Sequence, residues 1–191
     1  MAGQEPKPQS LKELMESGGG LSGFRWPERS ADFEIAIRRD GTWTHQGDPI
    51  RREKLVKLFA TVLQRDEAGD YWLVTPGEKG RIEVEDAPFV AVELDAESVP
   101  GTLRFRTNLD HWVAAGPDHP IRVEEDPGTG EPSPYILVRD GLEALIARAV
   151  FYELVEGAEE RLVDGRRMLG VESAGRFFPL GPAAADSEAS G

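Results

Sequence analysis

Phe33-Glu34-Ile35-Ala36-Ile37-Arg38-Arg39-Asp40-Gly41-Thr42-Trp43-Thr44-His45 decides the fold class. Phe33, Ile35 and Ile37 alternate with Glu34, Ala36 and Arg38, the two-residue period of a strand with one buried face. Asp40-Gly41 tolerates the positive φ of a tight hairpin turn, and Thr42 to His45 is the expected returning strand. Gly47-Asp48-Pro49 ends the hairpin. A helix is expected from about Arg51 to Arg65, because Leu55, Val56, Leu58, Phe59, Val62 and Leu63 fall on one helical face. A second hairpin follows from Tyr71 to Thr75 and Arg81 to Val84, then a strand from Val90 to Leu94.

The same order recurs downstream. Leu103 to Thr107 and Trp112 to Ala115 read as strands, an insertion rich in Pro, Gly and acid covers residues 124–134, and Tyr135 to Val138 reads as a strand. A second helix is expected from about Gly141 to Val155, followed by strands from Arg167 to Val171 and Arg176 to Leu180. Positions 55, 58, 59, 62 and 63 map onto 142, 145, 146, 149 and 150 at a constant spacing of 87. This predicts an α+β fold built from a duplicated antiparallel strand–strand–helix–strand–strand unit. The expected organisation is a lead-in over 1–32, a first unit over 33–95, a second over 96–181 and a tail over 182–191. Within the lead-in, Leu11 to Glu16 could form a short helix capped by Ser10 and ended by Gly18-Gly19-Gly20.

Composition narrows the partners. Of 191 residues, 22 are Lys or Arg and 35 are Asp or Glu, a net charge of -13. Residues 33–95 carry 9 basic against 13 acidic side chains, and residues 96–181 carry 9 against 15. Neither half offers the net basic platform that a nucleic-acid polymer or an anionic membrane surface requires. No apolar run is long enough to span a bilayer, and the first ten residues lack the order of a secretory signal. With no Cys there is no disulfide, thiolate nucleophile or Cys-ligated zinc. These features lead to the expectation of a cytoplasmic protein.

Several segments carry a family resemblance: Asp40-Gly41-Thr42-Trp43, Leu73-Val74-Thr75-Pro76, Glu78-Lys79 and Val84-Glu85-Asp86-Ala87-Pro88-Phe89-Val90. Leu55 to Phe59, Ala115-Gly116-Pro117-Asp118-His119-Pro120, Arg139 to Leu145, Phe151-Tyr152 and Phe177-Phe178-Pro179-Leu180-Gly181 belong to it as well. Together they resemble the bacterial domain-of-unknown-function family 1285 over roughly Phe33 to Gly181. The resemblance implies a duplicated core and a second half superficially like a pleckstrin-homology domain. It also implies a ligand site between the halves, for a nucleotide-like ligand, and a role in signal transduction.

Candidate chemistry is sparse. His45, His111 and His119 are scattered through strands and turns, without the short spacing of a metal site, so polar turn residues are the better reading and no metal is expected. Glu83 and Glu85 share a strand face but have no nucleophile beside them. Neither a P-loop nor a Gly-x-Ser-x-Gly elbow occurs, and no cofactor is implied. Catalysis is therefore the less favoured class.

The better candidate is the turn Thr75-Pro76-Gly77-Glu78-Lys79-Gly80-Arg81, whose glycines free the backbone and whose Lys79 and Arg81 suit a phosphate or carboxylate. Solvated cations at a hairpin tip are the plain alternative. Asn108 and Asp110, on a polar turn, are expected to face this hairpin across the interface of the units, and His119 joins them through the family segment. Three readings stay open: a ligand-binding or sensory module for a small anionic, nucleotide-like ligand; a protein–protein adaptor using the second half; and an enzyme with an unrecognised site.

Overall fold

The alternation at Phe33–Ile37 does form a strand. β1 (Ser30–Ile37) runs antiparallel to β2 (Trp43–His45), with Ile35 opposite His45 and Ile37 opposite Trp43. Gly41 adopts φ +83° in the turn between them, and the Asp40 carboxylate accepts from the Thr42 amide at 2.8 Å. The computed structural model describes residues 30–183. The short helix expected near Leu11, most of the lead-in and the tail beyond Ala183 lie outside the described residues. Two compact units divide the chain, Met1–Glu85 and Asp86–Gly191.

In the first unit, β3 (Asp48–Pro49), helix α1 (Glu53–Thr61), β4 (Leu63–Arg65), β5 (Tyr71–Val74) and β6 (Lys79–Val84) follow the hairpin. The sheet order is β3-β2-β1-β6-β5-β4, two three-stranded meanders joined by the parallel pair β1/β6. Ile37, Trp43, Leu63 and Leu73 are almost wholly buried, and Val56 and Ala60 of α1 face this core. The Phe59 ring stacks on Trp43 at 6.2 Å. The expected helix from Arg51 to Arg65 is shorter than its apolar spacing suggests. Leu63 leaves it to pair with Leu73, because an edge position on the sheet buries Leu63 completely while satisfying its backbone.

The second unit contains β7 (Phe89–Asp95), β8 (Arg104–Thr107), β9 (Trp112–Ala114), β10 (Ile121–Glu125), β11 (Pro132–Arg139) and β12 (Leu142–Ile146). Helix α2 (Arg148–Glu156) and the meander β13 (Glu159–Val163), β14 (Arg166–Ser173) and β15 (Arg176–Pro182) complete it. The order β10-β11-β12-β7-β8-β9, with β12 and β7 parallel, is that of the first sheet. Strands β1 to β6 thus correspond one by one to β7 to β12. The duplicated object is a six-stranded sheet, and the molecule is mostly β with two helices among the described residues.

This corrects three expectations. Residues 142–146, expected as helix, form a strand, because Leu142, Ala144 and Ile146 bury one face while Glu143 and Leu145 point the other way. Partners on both sides, β11 and β7, satisfy that strand's backbone. The spacing of 87 is consequently not the repeat: it lays α1 onto a strand, and α2 comes after its sheet whereas α1 lies within its own. Finally, β7 pairs only with strands of the second sheet, so the boundary falls before it and not at residue 95.

Side chains tie the terminal meander to the second sheet. Ser173, fully buried, donates to the Ala115 carbonyl at 2.7 Å and accepts from the Leu103 amide at 2.9 Å. In the same strand Gly170 is a close approach: a Cβ there would sit 2.5 Å from the Phe178 carbonyl oxygen. Val150, Phe151 and Leu154 of α2 are buried, and the helix packs against β7 and β14.

Candidate functional site

The six residues singled out from the sequence divide evenly between the units. In the first, Thr75 closes the β5–β6 hairpin: its hydroxyl donates to the Glu78 carbonyl at 2.9 Å and accepts from the Glu78 amide at 3.2 Å. The Lys79 ammonium lies 5.2 Å from the centre of the Trp72 ring, a cation–π contact. Arg81 donates to the Asp70 carboxylate at 2.5 Å. Arg81 also lines an open groove of about 910 Å³ on the sheet face. Asp32, Glu34, Asp70 and Glu83 line it too, against only two guanidiniums, Arg38 and Arg81. Arg38 is itself paired with Glu85 at 2.6 Å, which draws the Glu85 carboxyl below its usual range. The surroundings of Arg81 are therefore acidic.

In the second unit the other three residues share one end of the sheet. Phe89 at the start of β7 lies opposite Ala144, Thr107 at the end of β8 opposite Ala91, and Ile121 at the start of β10 opposite Ile136. This register brings together the β8–β9 turn, the β9–β10 connection and the β11–β12 turn. Asn108 serves the ladder here: its side-chain oxygen accepts from the Val90 amide at 3.0 Å, and its own amide donates to the Val90 carbonyl at 2.8 Å. Asp110 takes φ +63° in the turn and pairs with Arg106 at 3.0 Å. His119 sits in a turn closed by reciprocal backbone bonds with Gly116, and its Nδ1 donates to the Leu137 carbonyl at 3.0 Å.

Two further residues complete this end, and the sequence reading did not single them out as a pair. Arg139 ends β11, half-buried, immediately before Asp140-Gly141, both at positive φ. Burial outweighs the neighbouring Asp140 and holds its guanidinium below the ordinary range. Arg38, Arg106, Arg122 and Arg148 are shifted the other way, raised by hydrogen-bonded partners. His111, at the foot of the β8–β9 turn, has its imidazole pushed down by burial first, then by the charges of Arg139 and His119. A cue existed in the sequence: Arg139-Asp140-Gly141 repeats the Arg39-Asp40-Gly41 of the first unit.

What this end can do follows from charge. A half-buried guanidinium and the His111 imidazole within its electrostatic reach are hydrogen-bonding groups of the kind that can hold a polar or anionic group. Among the described residues no group of three or more His, Asp or Glu is placed to hold a metal ion, and no helix is long and apolar enough to cross a membrane.

Comparison with known proteins agrees with this architecture. Residues 25–87 match the model of the "Domain of unknown function (DUF1285), N-terminal domain", and residues 88–180 that of the "Protein of unknown function (DUF1285), C-terminal domain". Among curated proteins, none matches the chain. A crystal structure of a DUF1285 family protein from Silicibacter pomeroyi is similar at 40% identity and TM-score 0.75, covering 93% of this chain and 97% of that one. A second, from Shewanella baltica, is similar at 29% identity and TM-score 0.52, over 64% of this chain and 90% of that one. The two family models meet between residues 87 and 88, at the start of β7, and the first relative spans nearly the whole sequence; the chain belongs to the DUF1285 family.

Proposed function

We propose that this protein is a ligand-binding module for a small anion, seated at the end of the second unit where Arg139, His111 and His119 converge. The observation that supports the reading is the strand register, which gathers the β8–β9 turn, the His119 turn and the β11–β12 turn at one sheet end, with the half-buried Arg139 within electrostatic reach of His111. Functional sites are where burial and neighbouring charge shift protonation in this way. Asn108 and Asp110 frame the site by fixing the β8–β9 turn through Val90 and Arg106. In this reading occupancy is the output and no bond need be broken, which suits the sensory role that the family resemblance implies.

A thermal-shift panel of sulfate, phosphate and mononucleotides tests it, since a ligand that binds only the folded state raises the melting temperature. A member of the panel should stabilise the parent and lose most of that effect in Arg139→Gln. A panel without effect on the parent, or an undiminished effect in the variant, would overturn the proposal. The adaptor reading rests on a different feature. β13 is an exposed edge strand carrying Leu162 at 69% exposure, and edge strands accept peptides by main-chain pairing.

A further inference from the structure

We infer that the open face of the first sheet is a docking groove for an extended, arginine-bearing segment of a partner protein. The inference is independent of the anion site, since it concerns the first unit alone. Strand register fixes which side chains share this face. Ile37 lies opposite Trp43, whose ring stacks on Phe59 of α1, so their face of the sheet belongs to the core. Side chains alternate along a strand, so Ala36 and Glu83, which lie opposite each other, point away from α1. Arg81 comes two residues before Glu83 and shares its outward face, with Asp32 opposite it on one side and Trp72 on the other. Glu34 occupies the bulge of β1 between these two rows, at φ +46°. All of these outward residues line a single groove of about 910 Å³.

The charges inside the groove are out of balance. Its two guanidiniums are committed, Arg81 to Asp70 at 2.5 Å and Arg38 to Glu85 at 2.6 Å. Asp32, Glu34 and Glu83 take part in no ion pair among the described residues. Asp32 accepts from the Glu34 amide at 3.0 Å and Glu34 from the Gln46 side-chain amide at 2.6 Å, neutral donors that leave both charges in place. Glu83 acts on Arg38 only behind Glu85. Among the described residues no three carboxylates converge to hold one metal ion, so the complementary occupant carries several cations at separate points. An extended peptide with arginine at alternate positions presents its cations in that way, along one face. Arginine suits the groove because its planar fork matches a carboxylate. Its stem can lie over Ala36 and Val84, which also line the groove. The groove is open along the sheet and not enclosed, as a chain passing through it requires.

Fluorescence anisotropy of a labelled peptide of alternating arginine and serine, titrated with the full chain at low salt, tests the inference. The chain carries a net charge of -13, so attraction to the groove has to be separated from attraction to the whole molecule. Two variants of equal charge do this. One is Asp32→Asn/Glu34→Gln/Glu83→Gln, and the other is Glu97→Gln/Glu125→Gln/Glu156→Gln at exposed positions that do not line the groove. The groove variant should bind about tenfold more weakly than the parent, the combined worth of three exposed ion pairs, and the second variant within about twofold of it. Removing charges that repel one another should leave the melting temperature of the groove variant unchanged or raise it. Glu83→Gln alone, which gives up no hydrogen bond among the described residues, should still weaken binding by about twofold. Equal weakening in the two triple variants would overturn the inference by assigning the attraction to net charge. Absence of binding to the parent would overturn it too. Spermine binding the parent as tightly as the peptide does, with the same loss in the groove variant, would overturn the peptide as occupant in favour of a free polyamine.

Discussion

The β5–β6 hairpin of the first unit and the β11–β12 hairpin of the second occupy the same place in the repeat, and each carries an arginine beside it. Arg81 lies on an open face, paired with Asp70 and surrounded by further carboxylates. Arg139 is half-buried, with desolvation outweighing the carboxylate next to it and His111 within electrostatic reach. Equivalent topology has therefore placed one arginine on an open, acidic face and one half-buried beside a histidine. The difference shows that a cation in a turn does not make an anion site by its presence. What matters is whether carboxylates or burial dominate its surroundings.

The largest effect expected concerns the scaffold under the second region. Ser173→Ala removes two buried hydrogen bonds that hold the Ala115 end of the chain, four residues before His119. It should cost about 2–3 kcal/mol in urea denaturation, since buried partners are left unsatisfied. A loss under about 0.5 kcal/mol would mean that the terminal meander does not brace this end. Next, Arg139→Gln should weaken sulfate binding by about 1–3 kcal/mol, the range for a hydrogen bond to a charged group, whereas Arg81→Ala should leave it unchanged. The reverse outcome would exchange the roles of the two hairpins.

Protonation sharpens the same contrast. His111 has a lowered native pKa, so the unfolded chain takes up its proton first as pH falls. Its contribution is complete above the ordinary histidine value, and stability declines as pH drops from there toward the native value. Arg139→Gln removes one of the causes and should raise the His111 midpoint, read from its imidazole proton by NMR. A midpoint that stays put would separate the two residues. The smallest effect is expected for Arg81→Ala on stability, within about 0.5 kcal/mol, because the Asp70 pair is largely exposed.

Local patterning made much of the sheet legible and little of the site. Phe33 to His45 announces its hairpin because strand period, turn residues and burial all agree there. Leu142 to Val150 misleads because Leu142, Leu145, Ile146, Ala149 and Val150 satisfy a helical spacing while the first five residues also alternate. Only pairing with β7, more than fifty residues earlier, decides in favour of the strand. That same long-range pair moves β7 into the second unit. His119 could be picked out from its segment, but its meeting with His111 and Arg139 depends on three connections converging at one sheet end. Lys79 and Arg81 were conspicuous for the opposite reason: their charges are visible in the sequence, and the Trp72 ring and Asp70 carboxylate that engage them are not visible as partners.

The most direct test is an NMR titration of the full chain with sulfate, comparing residues 75–81 with His111, His119 and Arg139. The account predicts saturable shifts at the two imidazoles and at Arg139, with residues 75–81 unmoved. Saturable shifts confined to residues 75–81, with the second unit's signals unchanged, would contradict it.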